Sequence, residues 1–168
     1  MPTSPLNAEP AWLIEARRHI GMTEIPGPKT NATISGWLHK LRAWWTDDET
    51  PWCGVFVAAC IDPAGLPLPR YWMRAKAWAD WGIRLTAPAP GCIVVFERKG
   101  GGHVGFVVGR TERGLLLVLG GNQGNRVGIA AFDPARVVAY VWPKDVPLPV
   151  GELTVLGAPG ALVSANEA

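Results

Sequence analysis

The chain has few cysteines, and their spacing suits neither disulfides nor zinc. There are three, Cys53, Cys60 and Cys92, and no two of them form a CxxC pair. A disulfide framework uses an even number of cysteines, and structural zinc sites use closely spaced pairs of ligands. We therefore expect free thiols, as in a reducing compartment, and no zinc cluster.

The chain also lacks a large excess of positive or negative charge, and it lacks long apolar runs. Charged residues make up 18% of the 168 residues, the net charge is +2, and no run of Lys or Arg is longer than the pair Arg17 and Arg18. This balance argues against a nucleic-acid partner. No run of about 18 apolar residues could span a membrane. The first ten residues have neither the basic start nor the apolar core of a signal peptide, so we expect no membrane partner and synthesis in the cytoplasm.

Apolar residues at helical spacing occupy the first half of the chain. They predict one helix over 12–20 and a second over 34–45. A third helix follows Pro51 and ends before Pro63, where proline and glycine are dense. A short fourth helix is predicted over 73–81.

Short apolar runs separated by glycine-rich or polar turns occupy the second half. They predict five strands, at 92–96, 103–110, 115–119, 127–132 and 137–142. Helices followed by strands indicate an α+β fold, with the helices packed on one face of a five-stranded antiparallel meander. At 48% hydrophobic content the chain has the core of one domain.

We accordingly divide the chain into three segments. Residues 1–10 are predicted to be a flexible arm, residues 11–145 the catalytic domain, and residues 146–168 a tail or partner-binding extension. The tail has little periodicity, which is why it is excluded from the domain.

The segment TPWCGVFVAA, residues 50–59, places one cysteine at the start of the third helix. Thr50 suits the N-cap and Pro51 the first helical position, which leaves Cys53 in the first turn. Unpaired amides and the positive end of the helix dipole lower a thiol pKa there and favour the nucleophilic thiolate. The alternative is a small buried residue without chemistry.

Histidine is equally scarce, and one of the three stands apart. His19 and His39 fall within predicted helices, where packing or surface roles are expected. His103 opens a strand directly after Gly100 to Gly102, a segment without side chains that leaves the imidazole approachable. It is the candidate general base, with a structural histidine as the alternative.

The hairpin that follows decides which polar residue faces His103. A two-residue loop at Glu112 and Arg113 pairs His103 with Asn122, whose amide would hold the ring in the tautomer a base needs. A three-residue loop with a glycine bulge shifts the register by one and offers Gln123 instead. As a third alternative, Asn122 is an ordinary turn residue in GGNQGN.

Four segments, PWCGVFVAAC, PGCIVVF, GGHVGFVVG and VLGGNQGN, resemble the papain-like CHAP (cysteine, histidine-dependent amidohydrolase/peptidase) family. The resemblance runs over about residues 12–142 and is strongest to the small single-domain form of phage endolysins and prophage proteins. It implies a papain-like fold and a peptidoglycan hydrolase that cuts an amide in or next to the stem peptide. By motif, Cys53 is the nucleophile, His103 the base and Asn122 the third residue.

Two further residues are assigned to substrate binding. Trp52, beside the nucleophile, is expected to form a wall of the groove, where an indole can stack on a sugar ring. Gln123 follows Asn122 and is expected to contact substrate as well.

The chain departs from the family pattern at three places. Many relatives have a glutamate where Gly120 stands, and related sequences often have an aspartate where Cys92 stands. Some relatives bind calcium through alternating acidic residues before the cysteine, but residues 47–49 are contiguous, Asp-Asp-Glu. Contiguous carboxylates cannot all face one ion, so we expect no obligatory metal and no other cofactor.

The three residue types together suit acyl transfer on an amide through a thiolate, with backbone amides of the cysteine helix as oxyanion donors. The expected partner is bacterial peptidoglycan, met by a monomer released from the host cytoplasm or carried with virion proteins on a phage particle. Three alternatives remain: an injected antibacterial effector with the same chemistry, a structural or wall-binding phage tail component, and a metal site built from Cys53 and His103.

Overall fold

The computed structural model describes residues 9–25, 30–45, 51–99, 101–149 and 152–156. The α-helices are α1 (Ala11–Arg18), α2 (Ala32–Lys40) and α3 (Cys53–Ile61), and short 3-10 helices occupy Asp62–Ala64, Ala75–Asp80 and Pro134–Arg136. The strands are β1 (Ile83–Leu85), β2 (Ile93–Arg98), β3 (Gly101–Arg110), β4 (Leu116–Gly120), β5 (Gly128–Phe132) and β6 (Val137–Trp142). Four predicted features lie outside the described residues: the arm over 1–8, the acidic trio 47–49, Thr50 and the tail over 157–168.

The six strands form one antiparallel sheet in the order β1-β6-β2-β3-β4-β5. The α+β class is confirmed, but the five-stranded meander is wrong in two respects. β1 adds a sixth strand, and β6 pairs with β2 rather than with β5. β1 is too short, at three residues, to show alternation in the sequence. β2 is buried over Ile93–Phe96, as expected of a central strand. β3 pairs with one edge of β2, and β6 pairs with the other edge.

The first two helices pack against α3, and α1 also contacts the strand layer. α1 is tied to the strand layer by Trp12, whose Nε1 donates a 2.8 Å hydrogen bond to the carbonyl of Gly91. The N-cap of α2 is Asn31, whose side chain accepts hydrogen bonds from two backbone amides of the first turn. It ends at Lys40 rather than at residue 45, because Arg42 has a left-handed backbone (φ 59°). Trp44, beyond that end, is 85% exposed.

The third helix is the centre of the molecule. All nine residues of α3 are buried, which is typical of a helix that is apolar all round. It packs against α1 and α2 on one side and against β3 on the other. Phe56 illustrates both contacts, since its ring lies 5.8 Å from that of Trp37 and 6.2 Å from that of Phe106. As predicted, α3 ends before Pro63.

The described part of the predicted tail contacts the end of β3. The backbone N–H of Arg110 donates to the carbonyl of Thr154 (3.0 Å), and that of Leu156 donates to the carbonyl of Arg110 (2.8 Å). Residues 154–156 therefore pack on the sheet rather than extend from it. None of the helices in the described ranges is long and apolar enough to cross a membrane.

Candidate active site

Cys53 is the first residue of α3, so its predicted place in the first helical turn is confirmed. The N-cap is Trp52, with a non-helical backbone (φ −124°, ψ 19°) and no side-chain capping bond. Pro51 therefore precedes the cap, and its predicted place at the first helical position is wrong. The thiol side chain is largely enclosed, with Cys53 only 7% exposed.

The indole of Trp52 lies beneath the start of α3 rather than on the surface. Trp52 is 1% exposed, and its Nε1 donates a 2.9 Å hydrogen bond to Oε2 of Glu24. The ring has no exposed face for a sugar, which argues against the stacking role expected from the sequence. Its contacts fit an anchor that fixes where α3 begins.

The thiol of Cys53 lies against the strand that carries His103. The backbone N–H of Val104, the next residue after His103, donates a hydrogen bond to the Cys53 sulfur. The structure thus brings the predicted nucleophile and the predicted base to neighbouring positions, one at the start of α3 and one on β3.

Burial raises the pKa of the Cys53 thiol. Hydrogen bonds from the backbone N–H groups of Val104 and Gly54, and the positive charge of Arg98, act in the opposite direction without cancelling it. The lowered pKa predicted from the helix position is therefore wrong in direction, because desolvation outweighs the helix terminus. A thiol in this setting needs a base to remove its proton.

The imidazole of His103 packs against two aromatic rings. His103 is 1% exposed, its ring is stacked on Phe132 (centroids 5.4 Å apart, planes 14° apart), and Phe96 is its partner across the β2–β3 ladder. The rings of Phe96 and Phe132 are themselves stacked at 4.6 Å. These contacts restrict the plane of the imidazole, so its nitrogens point in fixed directions.

The β3–β4 hairpin combines the two registers predicted from the sequence. Its loop has three residues, 112–114, since the backbone N–H of Thr111 bonds to the carbonyl of Leu115 and Gly114 has φ 84°. The strand pairing then shifts by one residue between Val107 and Gly109. Beyond this shift, toward His103, the strands pair as they would after a two-residue loop. The last ladder pair before the site is Phe106 with Leu119. Asn122 and Gln123 therefore lie in the turn that follows β4, not in the ladder.

The side chain of Gln123, in this turn, contacts the His103 ring. Its Oε1 lies 3.0 Å from Nε2 of His103, and its amide nitrogen donates to the carbonyls of Val118 (3.1 Å) and Gly128 (2.8 Å). At 7% exposure and with its amide engaged in this way, the side chain is not placed to bind substrate. Asn122 is 2% exposed and has a left-handed backbone, φ 58°.

The turn after β4 is fixed on two sides. Gly121 lies close to α3, where an added Cβ would be 2.5 Å from Cβ of Phe56 and 2.8 Å from the Trp52 ring. From the other side, the N–H of Glu24 donates to the carbonyl of Asn125 at 3.0 Å. The turn therefore has a defined position relative to the nucleophile.

A comparison with known families shows what the segment that contains Cys53 is similar to. Residues 45–122 match the family model of the CHAP domain. This segment is a CHAP domain. It contains Cys53, His103 and Asn122, and confirms the family indicated by the sequence motifs. No curated protein matches the chain significantly.

The match indicates a cysteine- and histidine-dependent amidohydrolase or peptidase domain. All three cysteines are free, as the sequence predicted, and all three are buried. In the described part of the chain no three His, Cys, Asp or Glu side chains are grouped so as to hold a metal ion. A surface pocket of about 410 Å³ beside α2 contains none of the predicted site residues.

Several contacts of the CHAP domain could not be found in the sequence. The stacking of Phe132 on His103 joins distant strands, and the Glu24 contact to Trp52 spans 28 positions. Neither has a local motif. The sequence did offer Gln123 as an alternative partner of His103, but through a strand pairing that the shift between Val107 and Gly109 cancels; the observed contact comes from the turn after β4.

Proposed function

We propose that the chain is a peptidoglycan hydrolase that cleaves an amide bond in or next to the stem peptide, with Cys53 as nucleophile and His103 as general base. The observation that carries the proposal is the packing of α3, which begins at Cys53, against β3, which carries His103, in a segment that matches the CHAP domain. Asn122 is the third residue that the family motif supplies. The motif resemblance supports a phage endolysin or virion-associated lysin.

The reaction begins with transfer of the Cys53 proton to His103. Because burial raises the pKa of the Cys53 thiol, formation of the thiolate needs a base, and the imidazole of His103 is the proposed acceptor of the proton. The sulfur adds to the amide carbonyl and forms a tetrahedral oxyanion. Backbone N–H groups at the start of α3, including that of Cys53, are the proposed donors to this oxyanion.

The intermediate then collapses to products. The C–N bond breaks, the imidazolium gives its proton to the leaving amine, and a thioester remains on Cys53. Water, deprotonated by His103, attacks the thioester and releases the carboxylate with the free thiol. No cofactor is needed for this cycle.

Cys53→Ala tests the mechanism, and Cys60→Ala is a matched control because both cysteines are buried in α3. We expect the first variant to lose turbidity-reducing activity on purified cell walls and the second to retain most of it. Unchanged lysis by Cys53→Ala would refute the thiol mechanism. Binding to walls without lysis in the unmodified protein would instead support a wall-binding component.

Two further measurements define the activity. Iodoacetamide should abolish it and a chelator should not, whereas a metal site built from Cys53 and His103 predicts the reverse. Mass spectrometry of the released fragments identifies the bond, since an amidase frees the stem peptide from the glycan and an endopeptidase cuts within it.

A further inference from the structure

We propose that Gln123 is the positioning residue that holds His103 in its catalytic tautomer, a role that the family motif gives to Asn122. The proposal rests on the proposed function of His103 as base. Gln123 lies one position beyond the segment that matches the CHAP domain, so neither the motif nor the match assigns it.

The orientation of the Gln123 amide follows from its other two partners. Both are backbone carbonyls, of Val118 at 3.1 Å and of Gly128 at 2.8 Å, and a carbonyl oxygen can only accept. The amide nitrogen must therefore face these carbonyls. The amide oxygen then faces His103, at 3.0 Å from Nε2. If the amide were flipped, both hydrogen bonds to the carbonyls would be lost, and the amide oxygen would face the two carbonyl oxygens.

The tautomer of His103 follows from the amide orientation. An oxygen acceptor next to Nε2 requires that Nε2 carry hydrogen. The lone pair of the neutral imidazole is then on Nδ1, which becomes the only ring nitrogen able to accept the thiol proton. The stacking of the ring on Phe132 keeps this arrangement in one plane.

Gly120 provides the space that this contact occupies. A Cβ added at Gly120 would overlap Oε1 of Gln123 and lie 3.4 Å from Nε2 of His103. Any larger residue at 120 displaces the amide that meets the imidazole. Gly120 and Gln123 therefore act as a pair, the first leaving room for the second.

Two variants of Gln123 separate positioning from a structural role. Gln123→Met and Gln123→Glu both remove the donations to Val118 and Gly128, but only the methionine variant removes the oxygen acceptor for Nε2. Arg126→Ala is the control, because its side chain is exposed in the same turn. The readout is the rate of Cys53 alkylation by iodoacetamide as a function of pH, which requires no peptidoglycan.

We expect Gln123→Met to alkylate about 10- to 100-fold more slowly at neutral pH, because a misplaced base cannot take up the thiol proton. Gln123→Glu should alkylate at least as fast as the unmodified protein, since a carboxylate at Nε2 favours the imidazolium that accompanies the thiolate. Arg126→Ala should leave the rate and its pH profile unchanged. An equal slowing by Met and Glu, or no slowing by Met, overturns the proposal.

NMR of the unmodified protein labelled with ¹⁵N-histidine decides the matter even if the variants do not fold. We expect neutral His103 to carry its hydrogen on Nε2, and a hydrogen on Nδ1 overturns the proposal. These results are independent of the wall substrate. If the unmodified protein fails to digest walls while the tautomer and alkylation results hold, the proposed substrate is wrong and the role of Gln123 stands.

Discussion

Glu24 connects the start of the nucleophile helix to the turn that carries Asn122 and Gln123. Its Oε2 accepts the 2.9 Å hydrogen bond from Nε1 of Trp52, and its backbone N–H donates to the carbonyl of Asn125. Glu24, 28 positions before Trp52, therefore contacts both the start of α3 and the turn after β4. The spacing between Cys53 and His103 depends on this connection as well as on the packing of α3 against β3.

Removal of the Glu24 carboxylate should therefore destabilise the protein. In Glu24→Ala the buried indole N–H of Trp52 loses its acceptor, which costs about 1 to 3 kcal/mol. Glu24→Gln keeps an oxygen acceptor and should lose less than half as much. Urea unfolding measures both free energies, and an equal loss in the two variants would contradict the importance of this bond.

The three thiols should differ sharply in reactivity. Cys53 is 7% exposed at the start of α3, whereas Cys60 and Cys92 are 1% and 0% exposed. Burial raises the pKa of Cys60 well above its usual value and that of Cys92 to about 12. Iodoacetamide at neutral pH should therefore modify the native protein once, at Cys53, and the unfolded protein at all three cysteines. Peptide mass mapping checks this, and modification of Cys92 in the folded protein would contradict it.

Local patterns predicted most of the helices and strands, because each such signal lies within a few residues. The proline-rich stretch after α3 ended that helix where expected, and the apolar runs after Pro88 became five of the six strands. The order of strands was not predictable in the same way. Pairing of β6 with β2 is a contact between segments about 40 residues apart, decided by which edge of a buried strand remains open.

In the candidate site, too, local features could be predicted from the sequence and contacts between distant segments could not. Cys53 at the start of a helix and His103 on a strand follow from short motifs, and the structure brings the two segments together. The direction of the thiol pKa shift was mispredicted because helix position is local whereas desolvation depends on the whole packed structure. The His103 partner was ambiguous because a three-residue loop and a bulge have opposite effects on register, and the sequence does not show the bulge.

Cys92 should make the protein less stable at alkaline pH. Its pKa is raised from 9.0 to about 12 by burial, so the folded state keeps a proton that the unfolded state loses first. This contribution to stability is fully present below about pH 9 and is lost as the pH rises toward about 12. The loss approaches 1.4 kcal/mol per pH unit in that window.

Comparison of Cys92→Ala with the unmodified protein isolates this effect. The variant loses some packing at every pH, but its free energy of unfolding should fall less steeply between about pH 9 and about pH 11. Urea unfolding across that range gives the slope. Parallel slopes in the two proteins would show that Cys92 does not resist ionisation in the folded state.

Two glycine-to-alanine substitutions in helices should have opposite effects. Gly54 follows the nucleophile in α3, and a Cβ there would lie 2.6 Å from the carbonyl oxygen of Trp72 and 2.7 Å from that of Met73. Gly36, in α2, is exposed and has no atom within 4 Å of the same position. Gly36→Ala should therefore stabilise the protein by about 0.5 to 1 kcal/mol, through the higher helix propensity of alanine.

Gly54→Ala must instead move either α3 or the backbone of residues 72–73, at a cost of about 1 to 3 kcal/mol. Because residue 54 is next to Cys53, the same shift should displace the sulfur from the Val104 N–H and slow its alkylation. Thermal unfolding and alkylation rates of both variants test this. If Gly54→Ala is as stable and as reactive as Gly36→Ala, the close approach of residues 72–73 does not constrain the nucleophile.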